Sequence, residues 1–347
     1  MWIGEGNGSL TNADPFEDAR IFFLGAGFSA AAGIPLTNSL LPRAAELFQD
    51  AAPGLFERIS GYADDIDVNL SGQPNAEDFA RLCTYLHFIE LREHGGGERW
   101  SADGSRERLA LKFYLSKAIA FSTPTIGNIP QMYRDFANDI SGNDVIITFN
   151  SDVLLEQALD AMAKPYSYAW EAGKTLILKL HGSVNWVNGH PRAMGYEARD
   201  FAYQPIGFAT DMAENEVYFS DILRDQAEWT YARALVDQVK PLIVLPGYGK
   251  ILDVRLLSAI WYRPEFLNLR RGGISIIGLS VADDDYIVDS LLRYLFRSVF
   301  EENTKMSVLN PDPMVEAKFR KIISGIPFDF HCEKFADETI KLALLHC

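Results

Sequence analysis

Two polar clusters in the sequence combine residue types that can move protons or orient a small molecule. Asn150 and Asp152 directly follow the apolar run Val145–Phe149, and His181 ends the apolar run Thr175–Leu180. Asn150 and Asp152 are two residues apart, so in an extended segment both side chains can face one pocket. An imidazole titrates near neutral pH and can take a proton from water or from a hydroxyl group. The residue types therefore predict a site for proton transfer, provided that the two clusters meet.

Each of these residues also has a purely structural interpretation. Asn and Asp are favoured caps of a following helix, and a helical pattern runs from Leu154 to Met162. A histidine beside Gly182 can simply close its strand through hydrogen bonds. Spacing alone leaves the structural and the functional interpretations open.

A glycine-containing stretch near the start of the chain predicts an anion site. Residues 21–35 read IFFLGAGFSAAAGIP, which indicates a buried strand, a tight turn and the first turn of a helix. The amides of such a turn and the helix dipole favour a phosphate. Gly25, Gly27 and Ala30 fit the loose G-x-G-x-x-G/A pattern, which also occurs at plain strand–turn–helix junctions. An ordinary dehydrogenase is disfavoured, because the region about 20 residues further on reads as helix, not as a strand ending in an acidic residue.

The elements that must position these residues are short apolar strands separated by helices. This alternation predicts an α/β fold with a doubly wound, parallel, six-stranded Rossmann-like sheet. Functional loops of such sheets lie at the carboxyl ends of the strands, where all the polar motifs begin. The predicted strands are Ile21–Leu24, Val145–Phe149, Thr175–Leu180, Leu242–Leu245, Ile274–Ile277 and Met306–Leu309.

The remaining segments predict the domain organisation. Residues 1–20 are polar and glycine-rich and are expected to form a flexible tail before one domain at 21–347. Helical periodicity between about 36 and 140, including a helix from Ala76 to Glu93 capped by Asn75, predicts an inserted helical cap subdomain. Residues of about 184–240 are rich in aromatic side chains and contain no cysteine, so we expect a small, metal-free insert.

Five short motifs together resemble the NAD site of the sirtuin superfamily. GAGFSAAAGIP is similar to the family signature G-A-G-x-S-x-x-x-G-I-P at every fixed position. TFNSD at 148–152, LHGS at 180–183, GLS at 278–280 and LNP at 309–311 follow in the family's order. The resemblance spans about residues 21 to 311 and implies a fold that binds NAD⁺.

The resemblance implies a role for each matching residue. Asn150 would position the nicotinamide ribose and the attacking water, Asp152 would bond the carboxamide, and His181 would be the general base. Asn310 would reach the adenosine half, although Asn310-Pro311 is also an ordinary turn signal. The residues expected to bind the cofactor are Gly25, Ala26, Gly27, Ser29, Gly33, Ile34, Gly278, Ser280 and Asn310.

Departures from the family pattern indicate which reaction to expect. Sirtuin deacylases carry a four-cysteine zinc ribbon, whereas this chain has three scattered cysteines and no C-x-x-C, so no zinc is expected. Leu36-Thr37-Asn38 replaces the family's D-F-R, which removes an arginine that contacts the cofactor. Without the peptide-clamping module, water becomes the expected acceptor and NAD⁺ the substrate of a glycohydrolase. An NAD-dependent protein deacylase and a non-catalytic module that senses NAD or ADP-ribose remain the alternatives.

Composition limits the classes of partner. The formal charge of −15 disfavours direct nucleic-acid binding, which needs clustered Lys and Arg. No apolar run reaches the roughly 18 residues of a membrane span, and the N-terminal stretch lacks the features of a secretory signal, so we expect a cytoplasmic protein. Zinc-less sirtuin-like proteins include effectors of bacterial anti-phage defence that deplete NAD. That resemblance implies a homo-oligomer held inactive until triggered, with a HerA-type ATPase as a candidate partner.

Overall fold

The computed structural model describes residues 19–70, 72, 74–94, 103–188, 202–204, 217–219, 240–250, 253, 257, 260, 272–283, 285–298 and 304–344. These residues form an α/β structure, as predicted, with one parallel and one antiparallel sheet. Nearly all of the predicted tail at 1–20 and most of the predicted aromatic insert at 184–240 lie outside the described residues.

The described strands are numbered here in chain order. They are β1 (Ile21–Leu24), β2 (Val145–Thr148), β3 (Tyr166–Ser167), β4 (Thr175–Lys179), β5 (Gly182–Asn188), β6 (Ala202–Gln204), β7 (Val217–Phe219), β8 (Lys240–Ile243), β9 (Ile274–Ile277), β10 (Met306–Leu309) and β11 (Asp329–His331). The parallel sheet has the order β11-β10-β9-β1-β2-β4-β3. Strands β1, β2, β4, β9 and β10 are buried throughout, as expected for a sheet with both faces covered.

The register of the parallel sheet brings its loops together. Leu24 lies between Thr148 and Ile277, Thr148 pairs with Lys179, and Ile277 pairs with Leu309. Five strands therefore end in one row, and the loops that follow them meet at one edge. The chain order also reverses beside β1, which has β2 on one side and β9 on the other; such a switch point leaves a crevice between diverging loops.

Two details of the predicted sheet differ from the structure. The parallel sheet has seven described strands rather than six, because the short β3 and β11 at its two edges carry too weak an apolar pattern to be read from sequence. The predicted strand Leu242–Leu245 is found as β8, which belongs to the antiparallel sheet β6-β7-β5-β8. Local composition indicates that a strand forms but not which strand it pairs with.

The described helices are also numbered in chain order. They are α1 (Ala26–Ala30), α2 (Thr37–Ala51), α3 (Pro53–Asp64), α4 (Ala76–His94), α5 (Ser105–Ser122), α6 (Gln131–Asp139), α7 (Leu154–Ala161), α8 (Tyr286–Ser298), α9 (Met314–Ile322) and α10 (Ile340–Ala343). Asn75 caps α4 as predicted: its Oδ1 accepts the Asp78 amide at 2.9 Å, and its own amide donates to Asp78 at 3.2 Å. This reciprocal pair is a capping box.

Helices α2 to α5 pack around a core of their own. That core includes Phe48, Leu82 and Phe113, and it continues into the antiparallel sheet through Val187 and Ile243. Helix α6 packs instead on the parallel sheet, where the Phe136 ring meets the Phe22 ring edge-on. Helices α2 to α5 and the antiparallel sheet thus stand together beside the edge where the parallel strands end.

Candidate active site

A cavity of about 270 Å³ opens at the carboxyl edge of the parallel sheet. Its wall contains the three predicted catalytic residues, Asn150, Asp152 and His181. The predicted cofactor-binding residues in the wall are Gly25, Ala26, Ser29, Ile34 and Ser280. The loops after β1, β2, β4 and β9 therefore contribute to one space, as their register requires.

Asn150 is tied to the glycine loop by its side-chain amide. The Nδ2 atom donates to the Gly25 carbonyl at 2.9 Å and to Ser29 Oγ at 3.0 Å, and the backbone amide of Asn150 is held by Thr148 Oγ1 at 3.0 Å. Because both protons of the amide have acceptors, the Oδ1 atom is left to accept a hydrogen bond from a bound molecule. The arrangement couples the position of Asn150 to the loop predicted to hold phosphate.

Asp152 is a buried residue that lines the cavity and also accepts a hydrogen bond from the backbone of the next helix. Its Oδ1 accepts the amide of Leu154, the first residue of α7, at 3.0 Å, whereas the N-cap position itself is Val153. Burial raises the pKa of Asp152, against the opposing effects of the Lys179 charge and of hydrogen bonds from Leu154 and Ser29. Ser29 accepts from Asn150 and bonds Asp152, so one hydroxyl links the two predicted catalytic side chains.

His181 is half-buried and faces the same space from the end of β4. Its ring meets the Phe149 ring edge-on with centroids 5.4 Å apart, and it forms a hydrogen bond with the backbone of Phe149. Burial, followed by the positive charge of Lys250, lowers the pKa of His181 well below its ordinary value. The imidazole is therefore neutral at neutral pH, which is the form that can accept a proton.

The glycines of the first loop are explained by a neighbouring backbone. A Cβ on Gly27 would lie 2.7 Å from Gly278 Cα, and a Cβ on Gly25 would overlap Leu279. Gly278 has φ +60°, and a Cβ there would overlap the backbone of Gly27. The Gly27 amide donates to the Gly278 carbonyl at 2.9 Å, so this amide is used within the protein.

Four predicted cofactor-binding residues lie outside the cavity wall. Gly27 and Gly278 hold the two loops together, and Gly33 occupies a turn with φ +83°. Asn310 is buried, donating from Nδ2 to the Leu279 carbonyl at 3.0 Å and accepting the Asp312 amide at 2.9 Å. In this structure Asn310 acts as the turn-forming residue that its sequence Asn-Pro also indicates.

Lys250 and Asp285 were not singled out from the sequence, yet both line the cavity. Lys250 Nζ lies 2.6 Å from Asp285 Oδ2, and the lysine is only 6% exposed. Lys250 follows β8 in the segment Pro246–Lys250, which contains two glycines, and Asp285 follows β9. The glycine-rich turn after β8 is the sequence signal that could have pointed to Lys250. Only the tertiary structure, however, places β8 beside the site.

The described residues contain neither a candidate metal site nor a candidate membrane span. Among them, no group of three or more His, Cys, Asp and Glu side chains could hold a metal ion. No helix in the described part of the chain is long and apolar enough to cross a membrane.

Comparisons with known proteins give matches among solved structures alone. No family model and no curated protein matches the sequence. One solved structure, on the structural basis of sirtuin substrate affinity, is 15% identical over 94% of this chain and 93% of that chain, with a TM-score of 0.36. A Sir2 complex with the inhibitor EX-527, 2′-O-acetyl-ADP-ribose and deacetylated p53 peptide is 14% identical over 93% and 91%, with a TM-score of 0.32. Sir2Tm bound to a propionylated peptide is 12% identical over 93% and 90%, with a TM-score of 0.32.

Proposed function

We propose that this protein is an NAD⁺ glycohydrolase that cleaves NAD⁺ with water to ADP-ribose, nicotinamide and a proton. The observation that carries the proposal is that Asn150, Asp152 and His181, which follow two different strands, line one cavity together with the glycine loop. Their motifs occur in the order found in the sirtuin superfamily, whose site binds NAD. The cavity volume of about 270 Å³ is just below the range of about 300–1,000 Å³ that is typical of small-molecule pockets.

The proposal gives each of the three side chains a task. Breaking the glycosidic bond releases neutral nicotinamide and leaves a positive charge on the ribose. The oxygen of a water molecule then bonds to C1′ of this cation. Asn150 Oδ1 would orient that water or a ribose hydroxyl, because its Nδ2 is held by Gly25 and Ser29. Neutral His181 would take the proton that the attacking water loses. Asp152 would accept a hydrogen bond from the carboxamide of the leaving group.

Nicotinamide release from purified protein tests this proposal. NAD⁺ is incubated with the wild type and with Asn150→Ala and His181→Ala, and nicotinamide and ADP-ribose are separated by chromatography. We expect each substitution to lower the rate by at least about 100-fold, the scale of a lost general base. His331→Ala is the matched control, since His331 also ends a strand but does not line the cavity.

The same assay distinguishes the two alternative functions. A protein deacylase would release nicotinamide only when an acyl-lysine peptide is present, and it would form O-acyl-ADP-ribose. A sensing module would bind NAD or ADP-ribose saturably and release no nicotinamide under any condition. Cleavage that persists in both alanine variants would overturn the site assignment while leaving the activity in place.

We also propose that this activity serves as the effector of a bacterial anti-phage system. Unrestrained depletion of NAD would kill a healthy cell, so the chain is expected to act as a homo-oligomer in the cytoplasm and to wait for a trigger. A HerA-type ATPase is the candidate partner, on the resemblance to zinc-less sirtuin-like effectors. Expression with the neighbouring genes during phage infection, with cellular NAD measured over time, tests this role; His181→Ala should abolish both NAD loss and protection.

A further inference from the structure

Lys250 occupies a position in the cavity that the proposed chemistry does not use. It comes from the segment Pro246–Lys250 and reaches the space that contains His181, where its charge is felt by the imidazole. Among the described residues that line the cavity, the charged side chains are Asp152, Asp285 and Lys250, and Lys250 is the one cation of this set. A nucleotide diphosphate carries two negative charges, and charged oxygens are bound best by charged donors.

The contacts that hold the backbone of the segment Pro246–Lys250 do not involve the Lys250–Asp285 ion pair. Gly247 packs against Ala80 and Thr84 of α4, and the Tyr248 amide donates to Thr84 Oγ1 at 3.0 Å. A Cβ on Gly249 would lie 2.6 Å from the His87 ring. These contacts position Lys250 whether or not its ammonium remains bonded to Asp285.

Asp285 is likewise held on its own loop. Its Oδ1 accepts the Val288 amide at 3.2 Å at the start of α8, while its Oδ2 faces Lys250 at 2.6 Å. The Asp285 side chain is 20% exposed, so water can replace the lysine as its partner. The ion pair thus joins two independently anchored loops, and its buried member is Lys250, which is 6% exposed and lines the cavity.

We propose that Lys250 is a substrate-binding residue whose ammonium moves from Asp285 to the diphosphate of the bound nucleotide. In this arrangement Asp285 competes with the ligand for the ammonium. The inference rests on the proposed function for the identity of the nucleotide, but not on whether the nucleotide is cleaved.

Opposite effects of two substitutions distinguish this role from a structural latch. If Lys250 and Asp285 only hold two loops together, Lys250→Met and Asp285→Asn break the same bond and change affinity in the same direction. If the ammonium binds the ligand, Lys250→Met weakens binding and Asp285→Asn strengthens it. Asn at 285 keeps an oxygen that can accept the Val288 amide, so the start of α8 is preserved.

The experiment measures ADP-ribose binding by calorimetry, because ADP-ribose keeps the diphosphate and cannot lose nicotinamide. We expect Lys250→Met to raise Kd by about 10- to 100-fold, the loss of one charge-assisted hydrogen bond. Asp285→Asn should lower Kd several-fold, and Lys250→Arg should recover part of the lost affinity. Lys174→Met is the control: it breaks the exposed Lys174–Glu171 pair, which lies outside the cavity wall, and should leave Kd unchanged.

Each outcome of the ADP-ribose titrations either supports or overturns the proposed role of Lys250. Equal shifts in one direction for Lys250→Met and Asp285→Asn would overturn it in favour of the latch, and unchanged affinities would overturn any role in binding. A wild type that fails to bind ADP-ribose would overturn it as well. Binding with the expected pattern but without cleavage of NAD⁺ would support the inference and contradict the proposed glycohydrolase.

Discussion

At the scale of single residues, the protonation of one imidazole decides whether the proposed chemistry can occur. His181 was predicted from its place at a strand end, but a sequence cannot show how deeply the ring is buried or what charge lies beside it. The structure supplies burial and the Lys250 ammonium, and both lower the pKa of His181. Asp152 shows the same limit: sequence offered either a cap or a cavity residue, and in the structure its side chain bonds the first amide of α7 and also lines the cavity.

The pH dependence of cleavage tests the state of His181. A base must be neutral to accept a proton, and the pKa of His181 lies well below the ordinary value of about 6.5. We therefore expect kcat/KM for NAD⁺ to stay level as pH falls through 6.5 and to decline only at lower pH. The profile is measured by nicotinamide release, with circular dichroism at each pH to confirm folding.

Lys250→Met provides the control for this profile. Removing the positive charge beside the imidazole should raise the pKa of His181 and move the acid limb toward higher pH. A wild-type limb centred at or above pH 6.5 would contradict the neutral imidazole, as would a limb that does not respond to the substitution.

At the scale of elements, contacts between backbones and between buried charges hold the loops that form the cavity. The glycine motif was read from sequence as a phosphate loop, and its first function in the structure is steric. Gly25 and Gly27 allow the loop after β1 to approach the loop after β9 at Gly278. Sequence showed both glycine motifs but not that each makes room for the other, because β1 and β9 are neighbours only in three dimensions.

Alanine at Gly278 tests this steric account. The position has φ +60°, and the added methyl group would overlap the backbone of Gly27. We expect Gly278→Ala to reduce the free energy of unfolding by at least about 2 kcal/mol, measured by urea denaturation. Gly61→Ala in α3 is the control: no atom beyond the backbone of its own helix lies within 4 Å of the added carbon, so this helix position should gain up to about 1 kcal/mol. Equal stability of the two variants would contradict the account.

A network of buried charged side chains joins helices α4 and α5 beside the cavity. Glu90 on α4 pairs with Arg108 on α5 and accepts a hydrogen bond from Ser105 Oγ at 2.8 Å. Arg108 and Lys112 each lie 3.0 Å from Asp253. Burial alone would raise the pKa of Glu90, but the hydrogen bond to His87, the Arg108 charge and the Ser105 hydrogen bond lower it to about 2.

Glu90→Gln tests the contribution of this network to stability. Removing one partner of a buried pair costs about 3–5 kcal/mol, since a buried charge loses its counter-charge. We expect a loss near the lower end, because Arg108 keeps Asp253, and we expect it in urea denaturation at neutral pH. Glu316→Gln is the control, because the exposed Glu316–Arg320 pair should contribute less than about 1 kcal/mol.

The same variant has a defined pH signature. The folded pKa of Glu90 is below its unfolded value of about 4.5, so the folded state binds fewer protons. Its stabilisation is complete above about pH 4.5 and is lost as pH falls toward 2. The wild type should therefore lose its stability advantage over Glu90→Gln within this range; a constant difference between the two proteins would contradict the assignment.

At the scale of the whole molecule, net charge limits the kinds of partner and sheet topology fixes where the site lies. A net charge of −15 disfavours direct binding to nucleic acid, which needs clustered Lys and Arg. The row of strand ends beside β1 places every predicted catalytic residue at one edge of the sheet, next to helices α2 to α5.

Light scattering coupled to size-exclusion chromatography tests the expected assembly. An effector that depletes NAD must be restrained, so we expect a mass that is a multiple of the single chain and little cleavage before a trigger is added. The measurement is made at two protein concentrations, with NAD⁺ cleavage assayed in the same fractions. A monomer that is fully active on its own would contradict the proposed restraint.

The sequence by itself determined the α/β class, the principal strands and helices, and the identity of Asn150, Asp152 and His181 as candidates. The strands and helices depend on hydrophobic periodicity and capping, which act within a few neighbouring residues, whereas the three candidates rest on residue type and on the resemblance to the sirtuin motifs. Only the tertiary structure decided that β8 pairs outside the parallel sheet, that Gly27 meets Gly278, and that Lys250 enters the cavity. Strand partners and contacts between distant loops arise from packing across the whole chain, and local residue preferences do not specify them.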